Sequence, residues 1–253
     1  MSPREIGLIV VACVFGSALL GLGLRRRLPD HHVGDDAKDI IKLGLGLIGT
    51  LAALVMGLLI SSASASFNTV SSELTAVTVK VLQLDHLLYQ YGPEANEVRG
   101  LLARNFGATV EFIFSRDPAQ RESMVNPNAT SRQDEVQAGI RSLPPGTDEQ
   151  RELRSRALDL AYDAGAERWY LVLQHAGTLS IPVLAVLVFW LCVIFFGWGL
   201  FAPRHAVMMS ALFTFASCAT LAIFLILELD SPFDGWVRVS DAPMRAALAQ
   251  LGQ

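Results

Sequence analysis

Residues 42–91 read KLGLGLIGTLAALVMGLLISSASASFNTVSSELTAVTVKVLQLDHLLYQY, and this stretch decides the fold. It holds no proline and runs from a lipid-compatible segment straight into a polar, amphipathic one. Phe67, Val70, Leu74, Val77, Val81, Leu84 and Leu88 recur at spacings of three and four, the seam of a coiled coil. Continued backwards at the same heptad spacing, the seam reaches Ala63, Ile60, Met56, Ala53, Gly49, Gly46 and Lys42, so one edge serves both segments. The pattern predicts one helix over 42–91, projecting ~40 Å beyond a bilayer at ~1.5 Å per residue. Gly92-Pro93 stops it, and Pro93 with Glu94 suits the first turn of the next helix.

Outward from this rod, three more apolar runs complete an all-α, four-span membrane protein: residues 6–24, 180–201 and 206–229, beside 43–63. Each approaches the roughly 20 residues that cross about 30 Å of hydrocarbon, and none alternates as a barrel strand does. The first run is followed by Arg25, Arg26 and Arg27 and by no small-residue cleavage site, so it reads as a retained helix. The 253 residues are 52% hydrophobic and 17% charged, with a net charge of −4. Mean hydropathy is +0.41. A charged fraction below the roughly 25% of soluble domains, with no basic surplus, speaks against a disordered chain, a nucleic-acid partner and a simple soluble enzyme. Cys13, Cys192 and Cys218 all lie in apolar runs and make no disulfide framework.

The resulting organisation is a first transmembrane pair in 1–63, an extramembrane helical insert in 64–178, a second pair in 179–229 and a C-terminal tail in 230–253. The insert reads as a helical hairpin or coiled-coil stalk. Val98, Leu101, Leu102, Phe106 and Val110 share one side of its second helix. A short helix carries Val136, Ile140 and Leu143 among proline-rich loops. Thr147 and Gln150 form a capping box ahead of Leu153, Ala157, Leu160 and Ala164. Arg25, Arg26, Arg27 and Lys38 in the first loop, with Arg204 in the last, place both short loops in the cytoplasm and the insert outside an inner membrane.

Several residues invite a functional reading, each beside a plainer one. Gly49, Ala53, Gly57 and Ser61 repeat every four positions; they line an axial pore, with Gly46 and Ile60 on the same seam, or let helices pack closely in lipid. Lys42 at the mouth either gathers anions or snorkels to headgroups. Ser210, Thr214, Ser217 and Glu228 share a face of the fourth span, a polar stripe or hydroxyls bonded to a neighbouring helix or to their own backbone for about 0.6 kcal/mol each. Glu228 and Asp230 lie near enough to the span's end to be hydrated. His31 and His32 among Asp30, Asp35 and Asp36 are explained by loop composition, so no metal site is assigned. No cofactor is implied. No nucleophile elbow, phosphate loop or paired-carboxylate arrangement appears, so no enzyme is expected.

Three clusters carry a resemblance. Leu28, Pro29, Asp30, His31 and His32 precede the second span; Leu84 and Asp85 precede Tyr91, Gly92, Pro93, Glu94 and Ala95 with Arg99; Leu229, Asp230, Ser231, Pro232, Phe233, Asp234 and Gly235 follow the fourth span. Together these resemble the bestrophin-like family of bacterial membrane proteins, over nearly the whole chain. The resemblance implies a remote relation to bestrophins, oligomeric ion channels with four spans, a large helical segment between the second and third, and pores lined by the second span. It also implies a middle segment in the cytoplasm, opposite to the arginine bias, and a neck of bulky aromatic residues, of which residues 43–63 have none. The expected function is therefore a homo-oligomeric ion channel or pore, with the bilayer, its own copies and inorganic ions as partners. The alternative is a structural or sensory membrane protein whose stalk binds a partner without ion transport.

Overall fold

The structure, a computed structural model, describes residues 3–25, 35–115, 127–174, 181–202, 206–233 and 235–252. Among these, all regular structure is helical: α1 (Pro3–Leu24), α2 (Asp35–Tyr91), α3 (Asn96–Ile113), α4 (Pro127–Ser142), α5 (Asp148–Gln174), α6 (Ile181–Phe201), α7 (Ala206–Leu229) and α8 (Ala242–Gln250). Four helices are long and apolar enough to cross a membrane, within α1, α2, α6 and α7. The helix α2 is unbroken over 57 residues. It ends where Gly92 takes φ of 120°, a left-handed conformation that only glycine adopts at little cost, and a single 3-10 turn over Pro93–Ala95 leads into α3.

The chain divides into two compact units, Met1–Phe67 with Gly177–Val237, and Asn68–Ala176 with Arg238–Gln253. In the first, α1 packs on both α6 and α7. Val10, Val14 and Ala18 of α1 meet Leu187, Leu191, Ile194 and Phe195 of α6, Leu212, Ala216 and Ile223 of α7, and Ala52 of α2 in one core. Lipid tails are as apolar as these side chains, so close contact rather than water exclusion holds helices together there. The closest approach uses glycine. A Cβ on Gly21 would lie 2.2 Å from the Phe196 carbonyl oxygen, and one on Gly199 would lie 2.1 Å from that of Ala18. Arg25, just past α1, donates its guanidinium to the Ala202 carbonyl at the end of α6.

In the second unit the seam of α2 is covered within the chain itself. Val70, Leu74, Val81, Leu84 and Leu88 are buried, as are Val98, Leu102, Phe106 and Val110 of α3, Val136 and Ile140 of α4 with Leu143 beyond it, and Ala157 and Ala161 of α5. Burying an aliphatic side chain away from water, as at Leu88 or Ile140, contributes roughly 1.5–3 kcal/mol. Leu248 of α8 lies against Gly107 of α3. The helix α4 is longer than the short helix expected, at 16 residues. At the start of α5, Thr147 Oγ1 accepts the Gln150 N–H at 3.1 Å. Gln150 departs from the expected box: its Oε1 accepts the Gly146 N–H at 2.7 Å, and its Nε2 donates to the Tyr91 carbonyl at 2.9 Å.

One expectation needs correction. The heptad seam extended into the span does not coincide with the buried edge of α2. Buried there are Leu45, Ala52 and Ala63. Ile48, Val55, Met56 and Leu59 pack beside them. From 45 to 63 these positions make five turns at about 3.6 residues each, the repeat of a straight helix. A strict heptad drifts ~20° per repeat against such a helix. Three repeats back from Ala63, the extrapolated edge has therefore slipped to the neighbouring ridge, turning Lys42, Gly46 and Ala53 out of the packed side.

Candidate functional site

Of the four helices long and apolar enough to cross a membrane, α2 is by far the least covered. Of its most apolar stretch 11% is buried, against 28% in α1 and 33% in α6 and in α7. Its open surface carries two strips. One is the small-residue ladder: Gly46, Ala53, Gly57 and Ser61 are exposed, and Gly49 and Ile60 are half-buried. A Cβ built on Gly46, Gly49 or Gly57 would meet nothing within 4 Å. The other strip, roughly 120° further round at 3.6 residues per turn, consists of the exposed Leu43, Leu47, Leu51, Leu54 and Leu58. Close packing at glycine falls instead to Gly21 and Gly199, and to Gly197 against Leu45 of α2, while among the described residues nothing lies within 4 Å of the ladder's glycine Cβ positions. Lys42 at the mouth is exposed, and its Nζ donates to Asp39 Oδ1 at 3.0 Å, one turn back, which offsets its positive field.

The polar stripe of the fourth span divides. Ser210, Thr214 and Ser217 donate to the carbonyls of Val207, Ser210 and Phe213, at 2.8, 2.9 and 2.8 Å. Their hydroxyls are thus engaged by the backbone of their own helix. Glu228 does something else. The expectation that water solvates it is corrected: it is 1% exposed. The segment leaving α7 folds back over it, so that Oε2 accepts the N–H of Trp236 at 2.5 Å and lies 3.4 Å from that of Val237. Asp230, just beyond the helix, is half-buried.

The residues around the end of α2 form a structural knot. Arg99 Nε and Nη2 donate to the two carboxylate oxygens of Asp85, both at 2.9 Å, with both side chains about nine-tenths buried. The guanidinium also lies 5.2 Å from the Tyr89 ring centre. Its bond to Asp85 holds Arg99 above even the usual arginine range, against the opposing effect of burial. Tyr91 is buried, its hydroxyl has no hydrogen-bond partner among the described residues, and that burial raises its pKa above the ordinary phenol value. The pairing of Asp85 with Arg99 and the seating of Glu228 escape sequence reading, because each joins residues from different elements. Gly235, the last residue of the third motif cluster, has φ of 97°.

Among the described residues no group of three or more His, Cys, Asp or Glu could hold a metal ion. The segment Leu28 to His32, with its histidines, and Asp234 lie outside the described residues, as do the side chains of Asp35 and Asp36.

A family model for the bestrophin-like domain matches residues 12–244. The chain belongs to the bestrophin-like family. Its fold is that of bestrophin homologues. A crystal structure of a bacterial bestrophin homologue from Klebsiella pneumoniae carrying one mutation superposes with a TM-score of 0.70 at 13% identity, covering 100% of this chain and 96% of that one. Two further single-mutation structures of the Klebsiella pneumoniae homologue give 0.66 at 14% and 0.65 at 13% identity, each covering 97% of this chain and 96% of the other. No curated protein matches the sequence. Bestrophin-like membership thus agrees with the three motif clusters, two of which mark the knot at Asp85–Arg99 and the Glu228 exit segment.

Proposed function

We propose that this bestrophin-like membrane protein is a homo-oligomeric ion channel or pore whose axis is lined by the second span, with transport rather than catalysis as its activity. The observation that carries the reading is the open ladder of α2. A helix of this polarity with most of its surface uncovered needs partners, and Gly46, Gly49, Ala53 and Gly57 are the residues that give ions room or let copies approach. The relation to bestrophins supports the same assignment. Folded oligomer in planar bilayers should pass current that Gly57→Trp alters. Silent bilayers over a range of salts and voltages, with the oligomer intact, would overturn it.

We place the protein in the inner membrane with the insert outside, on the strength of Arg25, Arg26, Arg27, Lys38 and Arg204. A bestrophin-like disposition would put the insert in the cytoplasm. Labelling of a cysteine at position 104 in intact cells by a membrane-impermeant thiol reagent supports the first, and protection until lysis the second.

A second reading, a stalk that binds a partner without ion flux, has one specific support. An open groove of about 640 Å³ lies between α2 and α5, floored by Val79, Leu82, Leu87 and Leu160 and edged by His86, Asp159 and Asp163. Because Val81, Leu84 and Leu88 are buried in the chain's own core, cysteines for crosslinking belong at Val79, Gln83 and His86. Capture there of a second protein species, with no flux, favours this reading; crosslinks between copies favour the channel.

A further inference from the structure

Glu228 is enclosed by the segment that leaves α7. It occupies the last turn of α7, the negative end of the helix dipole, and it is 1% exposed. Its Oε2 takes the backbone N–H of Trp236 at 2.5 Å, with that of Val237 at 3.4 Å. The opposite side of the contact is shaped to match. Gly235 has φ of 97°, and a Cβ there would fall 2.1 Å from the same oxygen, so the chain can close over the carboxylate only with glycine at this position. The residue so held, Trp236, is 78% exposed, although its backbone is fixed. An amphipathic indole turned outward a few residues beyond a membrane span suits the headgroup region of a bilayer, where its ring is apolar and its N–H remains hydrated.

We propose that Glu228 is a positioning residue: its buried carboxylate latches the segment leaving the fourth span and thereby seats Trp236 in the lipid headgroup layer. The latch needs an acceptor oxygen at position 228 and no side chain at 235. It depends on α7 spanning the membrane and not on conduction, so a failed latch and a silent channel are separate results.

The test uses the full chain in phosphatidylcholine liposomes, with the Trp236 emission isolated as the difference between the natural protein and Trp236→Phe. Lipid brominated near the headgroup should quench this component more than lipid brominated near the chain ends, and aqueous iodide should quench it weakly. Glu228→Ala should reverse the order, with headgroup quenching at least about halved and iodide quenching gained. Glu228→Gln, which keeps a carbonyl oxygen, should retain the natural pattern. Gly235→Ala should repeat the Glu228→Ala result from the other side of the contact, and it serves if Glu228→Ala fails to fold. Iodide-quenched, bromolipid-insensitive emission in the natural protein would overturn the headgroup assignment. An unchanged pattern in the folded Glu228→Ala or Gly235→Ala variant would overturn the latch.

Discussion

Replacing Gly21 by alanine should separate α1 from α6, and Gly23, two residues along the same helix, supplies the control. At Gly21 the new Cβ would lie 2.2 Å from the Phe196 carbonyl oxygen and 2.9 Å from the Leu200 nitrogen. Both are backbone atoms, so no side chain can swing aside. Ordinary heavy-atom contact needs roughly 3.5 Å, so the helices must part by about 1 Å. Overpacking of this kind costs about 1–3 kcal/mol, and the gain of alanine over glycine within a helix returns roughly 0.5–1 kcal/mol. The net loss is about 1–2 kcal/mol. At Gly23 a Cβ meets nothing within 4 Å, so only the gain remains. The two variants should differ by about 2 kcal/mol, a factor of roughly 30 in the unfolding equilibrium. Reversible unfolding in mixed micelles, followed by near-ultraviolet circular dichroism, measures the difference. Equal stability of the two, or a more stable Gly21→Ala, would refute the claim that glycine contact joins these helices.

Removing one member of the buried pair, as in Asp85→Leu, should cost about 3–5 kcal/mol because the Arg99 guanidinium is left uncompensated, while Asp85→Leu with Arg99→Met should recover most of it; thermal unfolding compares the two. The raised pKa of Tyr91 has a definite sign. Above the ordinary phenol range the unfolded chain loses this proton before the folded one does, so stability falls as pH rises through and beyond about 10. Tyr91→Phe should flatten that fall, and because it removes a buried hydroxyl without a partner it should leave stability at neutral pH unchanged or higher, both read from unfolding midpoints across pH.

Hydropathy alone places the four apolar helices, since a run of about twenty uncharged residues has few other outcomes. The single helix through Ser61 and the stop at Gly92-Pro93 are equally local facts, written in the absence of proline between 30 and 92 and in a glycine that can take positive φ. The seam from Val70 to Leu88 was legible because a heptad and a straight helix hardly diverge over so few turns. Carried back to Lys42 the same rule failed by one ridge. The ladder of α2, read from the sequence as pore lining or close helix packing, lies on the open side of the helix within the chain. Asp85 and Arg99 were visible only as motif residues and Glu228 only as part of a polar stripe, because the Arg99–Asp85 and Trp236–Glu228 contacts depend on how a turn and an exit segment fold back.

The most direct measurement is a density map of the purified oligomer viewed down its symmetry axis. A channel lined by the second span requires a ring of copies with α2 innermost and with Gly46, Gly49, Ala53 and Gly57 nearest the axis or the adjoining copy. A monomer, or a ring in which α2 turns both of its open strips to lipid while another helix surrounds the centre, would contradict it.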